Sequence, residues 1–179
     1  MSIETALSFD PAVEQRGTTI AKDLRLNLKR FLHEGALAPE EAYLALLALA
    51  NSAEYPALKD HARSRLEEIG IAPEKVREAA ESSAIVGLLN TYYRFRKMVG
   101  KDEDYRAAGL RMTSLARPVL GKEGFEMLAF AISVLNGCES CVRSHEEVLR
   151  NAGVSTDKIH DLARLASTVR ALKTLSQAS

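Results

Sequence analysis

The chain has no surplus of charge of either sign: 24 Lys and Arg stand against 24 Asp and Glu in 179 residues. It therefore lacks the basic block with which a nucleic-acid binder displaces counterions, and nucleic acid is excluded as a partner. It also lacks a long apolar run. Its longest uncharged segments, Ala42–Ala53, Ser82–Tyr93 and Met127–Cys138, are 12 residues each, against about 18 for a membrane span. The opening Met1–Asp10 has no basic-then-apolar signal pattern, so a cytoplasmic protein is expected. There are only two cysteines, Cys138 and Cys141. That is too few for a secreted disulfide scaffold, and their spacing points to chemistry instead. Glycine-rich phosphate loops and serine-nucleophile motifs are missing too.

Little of the sequence alternates with period 2. Apolar residues recur at helical spacing among Ala, Leu, Glu, Lys and Arg, which predicts an all-α fold of about eight to ten helices in a single domain over residues 1–179. Leu24, Leu28, Phe31 and Leu32 mark one helix, and Pro39-Glu40-Glu41 opens the next. The body of that second helix, Ala42 to Ala50, is almost wholly apolar and should be central. Helices are expected over Asp60–Ile69, Glu74 to about Met98, Phe125–Leu135, Cys141–Asn151 and Asp157–Leu175, with Gly100–Asp104 as an exposed loop. Phe125, Phe130, Tyr92, Tyr93, Phe95 and the methionines read as core filling. His33, His61 and His160 read as surface or structural residues.

The two halves echo each other. Gly70–Val76 and Gly153–Ile159 match in every physical category, and Glu41 to Asn51 mirrors Glu126 to Asn136, with His61 near the place of His145. A duplicated helical unit follows, with residues 38–98 as the scaffold copy and 122–175 as the catalytic copy. The first copy has Asn51–Pro56 where the second has its cysteines.

Asn136-Gly137 should end the apolar helix and let a new one start near Cys138. A fresh helix N-terminus offers unpaired N–H groups and partial positive charge, which favour a thiolate. Cys138, Cys141 and His145 then lie on one face, and an imidazole one turn from a thiol can take its proton. A free thiol with pKa about 8.5 is only about 3% ionised at pH 7, whereas a pKa near 6.5 makes it mostly thiolate. On a straight helix Glu126 would stand about 18 Å from Cys138. With a break at Asn136-Gly137 it could reach His145 directly or through water and orient the ring. A zinc site from Cys138, Cys141, His145 and Glu126 is the duller alternative, although no second CxxC exists to complete a closed structural site.

The pattern Glu126-x11-Cys138-x2-Cys141-x3-His145, with Leu110-Arg111-Met112 before it and Asn136-Gly137 inside it, resembles the AhpD alkyl hydroperoxide reductases of the carboxymuconolactone decarboxylase-like superfamily. Ala21–Leu28, Tyr93-Arg94 and Ser144-His145-Glu146 extend the likeness over most of the chain. The resemblance implies two repeated helical units, a homotrimer, and an antioxidant thiol peroxidase of organic hydroperoxides that binds no cofactor or metal. Electrons would come from a dihydrolipoyl acyltransferase and its dihydrolipoamide dehydrogenase, and an AhpC-type peroxiredoxin would be a partner. It further implies that Cys141 is the peroxidatic cysteine and that Cys138 is the resolving cysteine and proton donor, the more open of the two. Some members carry histidine just before the second cysteine, where this chain has Ser140. A general CxxC disulfide reductase and a zinc- or redox-responsive helical protein are the competing readings.

Overall fold

The computed structural model describes residues 8–101 and 103–178. Residues 1–7, on which the leader reading partly rests, and Asp102 of the predicted loop lie outside the described residues. Among those described there are eight α-helices, a short 3-10 helix and no strand: α1 (Pro11–Glu14), α2 (Thr19–His33), α3 (Pro39–Ser52), α4 (Pro56–Glu68), α5 (Pro73–Val99), the 3-10 helix (Thr113–Ala116), α6 (Gly121–Asn136), α7 (Glu139–Asn151) and α8 (Thr156–Gln177). The all-α expectation holds. The short α1 and the 3-10 helix were not expected, and α4 starts at Pro56 rather than near Asp60 because that proline opens the helix at its first turn.

Local chemistry sets the ends. Pro39 opens α3, where the Ala38 N–H donates to the Glu41 carboxylate at 2.7 Å. The Thr18 and Ser155 hydroxyls accept from the Ala21 and Lys158 N–H groups and cap α2 and α8. Asp10 caps α1 by accepting from the Ala12 N–H at 2.9 Å, while its second oxygen accepts from the buried Tyr55 hydroxyl at 2.5 Å. Asp161, buried on α8, accepts from the Ala36 N–H at 2.8 Å and so ties the α2–α3 turn to the last helix. A Cβ on Gly35 would come within 2.6 Å of that carboxylate.

The core is built on α3 and α6, which pack against each other and are flanked by α4, α5, α7 and α8. Every residue of Ala42–Ala50 is buried, as is every residue of Met127–Ser133. At about 25 cal/mol per Å² of apolar surface, each buried leucine contributes roughly 2 kcal/mol, so these two helices supply much of the drive to fold. The apolar area of both therefore goes into the chain's own core. The aromatic expectation needs correction along α5. Phe125 and Phe130 are buried, but Tyr92 and Tyr93 are only half-buried. Phe95 is 39% exposed and meets Tyr105 edge-on at 5.0 Å, and Met98 is 81% exposed. α5 is a long peripheral helix, and its last turn and a half, from Phe95 to Val99, runs beyond the core.

The turns after α3 and α6 make the same backbone bonds: the Tyr55 N–H donates to Ala50 O and the Cys138 N–H to Ser133 O. The turns after α4 and α7 match at the same offset, Ile71 to Leu66 and Val154 to Leu149. In this register Tyr43 stands opposite Glu126, so the sequence pairing of Glu41 with Glu126 and Asn51 with Asn136 is two residues out of step with the backbone. Tyr55, Leu58 and Ala62, all buried, occupy the places of Cys138, Cys141 and His145.

Candidate active site

α6 ends at Asn136 because Gly137 takes φ +66°, a left-handed conformation that a side chain disfavours. The chain reverses there, and Cys138, in extended conformation, becomes the N-cap of α7. Cys141 follows in the first turn and His145 one turn later, so α7 presents Cys141 and His145 on neighbouring positions of one face. α7 packs back along α6, which carries His145 to Glu126. The His145 Nδ1–Glu126 Oε2 distance is 2.6 Å, and the two side chains are 23% and 28% exposed. The contact is direct, with no bridging water needed. A carboxylate oxygen accepts, so Nδ1 donates, and the ring's second nitrogen, Nε2, is not engaged by Glu126.

Cys138 and Cys141 form a disulfide with their Cα atoms 5.3 Å apart, inside the range such a bond requires. Cys138 is fully buried and Cys141 is 7% exposed. The expectation that Cys138 is the more open of the two is thus not met: Cys138, the N-cap of α7, is the more deeply buried residue. The Ser140 hydroxyl lies 3.8 Å from the Cys138 sulfur. Among the described residues no group of three or more His, Cys, Asp and Glu is arranged to hold a metal ion. A groove of about 410 Å³ lined by Ser82, Ile85, Leu88 and Phe125 includes neither cysteine.

The sequence reading gave no place in the site to a second tier of side chains. Asn90 is buried on α5 and donates to the Ser133 hydroxyl at 2.9 Å, while its oxygen accepts from Asn136 Nδ2 at 3.0 Å. Arg94 donates to the Asn136 carbonyl at 2.8 Å, and Arg170 on α8 donates to the Leu135 carbonyl at 3.1 Å. A lone amide inside the uncharged run Ser82–Tyr93 was the available signal for Asn90. Arg170 gave none, since it sits on an ordinarily amphipathic helix.

Residues 105–179 match the carboxymuconolactone decarboxylase family. A protein of Anaeromyxobacter dehalogenans (strain 2CP-C) named alkyl hydroperoxide reductase AhpD is 40% identical over 156 residues, which is 84% of this chain and 81% of that protein. The chain belongs to the AhpD family. An AhpD of Gluconacetobacter diazotrophicus is 35% identical over 172 residues, 96% of this chain and 91% of its own length. The AhpD of Maricaulis maris (strain MCS10) is 37% identical over 158 residues, 85% and 88% respectively. In this member of the AhpD family, Glu126, Cys138, Cys141 and His145 fall on one helix–turn–helix unit, α6–α7.

Proposed function

We propose that the chain is an antioxidant thiol peroxidase that reduces alkyl hydroperoxides through a Cys141/Cys138 dithiol–disulfide cycle. The observation that carries this reading is the direct Glu126–His145 bond one turn along α7 from a bonded cysteine pair. In the reduced protein, His145, oriented by Glu126, takes the proton of Cys141. The thiolate attacks the distal peroxide oxygen, the O–O bond breaks, and sulfenic acid forms on Cys141 as alkoxide departs. Cys138 protonates the alkoxide, and its own thiolate then displaces hydroxide from the sulfenic acid. Hydroxide takes the proton held by His145 and leaves as water. Two thiols and one hydroperoxide thus become a disulfide, an alcohol and water. A dithiol reopens the bond by exchange through a mixed disulfide.

Relatives named alkyl hydroperoxide reductase AhpD support the substrate class. The electron source in this proposal is a dihydrolipoyl protein with dihydrolipoamide dehydrogenase, acting as an external reductant with no cofactor or metal held by the chain. An AhpC-type peroxiredoxin is the partner, and the assembly is a homotrimer in the cytoplasm. Among the described residues no helix is long and apolar enough to cross a membrane. The proposal includes two repeated units, residues 38–98 and 122–175. Only the second carries thiol chemistry, because Tyr55 and Leu58 fill the cysteine places of the first.

The test is turnover of tert-butyl hydroperoxide with dihydrolipoamide and its regenerating dehydrogenase. Turnover should vanish in Cys138→Ser and in Cys141→Ser. Undiminished turnover in both variants would overturn the assignment.

A further inference from the structure

An α-helix leaves its last four carbonyls without partners along its own axis. At the end of α6 all four are engaged. Ser133 O accepts from the Cys138 N–H and Val134 O from the Gly137 N–H, both at 3.1 Å. Leu135 O accepts from Arg170 and Asn136 O from Arg94. Two guanidinium groups, one from α5 and one from α8, therefore close on the two residues that precede Gly137-Cys138.

Resting on the peroxidase reading, we propose that Arg94 and Arg170 are positioning residues of the thiol pair, a guanidinium clamp that fixes the turn carrying Cys138 and cancels the negative end of α6 beside it. Cys138 lies between two opposed helix ends. The N-terminus of α7 favours a thiolate there, while the C-terminus of α6, equivalent to about half a negative charge, disfavours it. Even screened by solvent, with Arg94 half-buried and Arg170 exposed, two guanidinium charges offset that half charge and tip the local field toward the anion. Of the acidic groups nearest in sequence on α6 and α7, Glu139 pairs with Arg143 at 2.9 Å and Glu126 with His145 at 2.6 Å. The unit without cysteines is built differently. Lys173 reaches Glu54 O after α3, and Gly87 holds the α5 place that Arg170 holds on α8. The arginines accompany the sulfurs.

The experiment is the pH dependence of iodoacetamide alkylation of the reduced protein, for wild type, Arg94→Gln, Arg170→Gln, the double variant, both Arg→Lys variants, and Arg106→Gln as a control for charge at an exposed site. The Gln variants should raise the apparent thiol pKa by about half a unit to one unit, which from a starting value near 6.5 slows alkylation at pH 7 roughly 1.5- to threefold. Lysine, which restores the charge, should recover most of the rate, and Arg106→Gln should match wild type. Circular dichroism checks folding. If the double variant does not fold, the single variants and their lysine counterparts carry the comparison. Folded Gln variants with lowered melting temperature but an unshifted alkylation profile would reduce the clamp to scaffolding and overturn the proposal. Peroxide turnover of the wild type is read separately: a wild type inactive toward peroxide with shifted Gln profiles would sink the peroxidase reading and leave the clamp standing.

Discussion

Glu126 is a carboxylate in the middle of a helix whose other residues from Phe125 to Ser133 are buried. An acid in that setting needs a partner to offset lost hydration, and His145 supplies it. Glu126→Gln keeps an oxygen that can accept from Nδ1 but removes the charge. It should slow alkylation of the reduced thiols severalfold near neutral pH with little loss of stability; an unchanged alkylation profile would take Glu126 out of the proton relay. His61 makes a contrasting case. Its ring is half-buried between Phe9 and Tyr43, with centroids 6.0 and 6.2 Å away, and Nε2 is buried without a hydrogen-bond partner. Burial first, then Arg65 and His33, hold it below its ordinary value of 6.5, against a weaker opposite pull from Glu68 and Glu14. His33 is lowered as well, again mainly by burial. Above about pH 6.5 each ring is neutral in both folded and unfolded states and contributes nothing. As pH falls through that value, the unfolded chain takes up protons that the folded rings resist, so stability is lost on the acid side. His61→Phe should flatten the fall in urea midpoint between pH 7 and 5.5 relative to wild type.

Among the elements, the α6–α7 reversal determines where the sulfurs sit. Gly137 is at φ +66°, and alanine there costs roughly 1 kcal/mol in backbone strain. Gly137→Ala should therefore lower the melting temperature and also alter thiol reactivity, because the strained residue adjoins Cys138. Ser155→Ala removes the N-cap of α8 and should cost about 1 kcal/mol while leaving the alkylation profile alone. Denaturant midpoints and alkylation rates measured on the same samples separate the two effects. Most of these elements could be read from the residues. Pro39, Pro73, Gly100 and the Asn136-Gly137 pair punctuate the chain strongly, and the ends near them were expected within a residue or two. α1 and the 3-10 helix were not legible, since each is four residues long and too short to show a period.

At the scale of the molecule, α3 and α6 form one shared core, so a cavity in either should destabilise the whole. Leu46→Ala or Ile132→Ala, at fully buried positions, should each cost about 2–5 kcal/mol in denaturant titration. The exposed apolar residues lie elsewhere, among them Leu88, Phe95 and Met98 along α5. If the homotrimer forms, sedimentation should give three times the chain mass.

The sequence alone determined the helical period, the breaks and the close spacing of Cys138, Cys141 and His145, because propensity, capping and helical spacing act over a few neighbouring residues; Glu126 joined that set through the family resemblance. Only the tertiary structure decided that α7 folds back far enough to join His145 to Glu126, that Cys138 is the more deeply buried cysteine, and that Arg94 and Arg170 converge on the turn before it. Those three outcomes depend on how helices distant in sequence pack against one another, and hydrophobic periodicity specifies which face is buried without specifying what it meets.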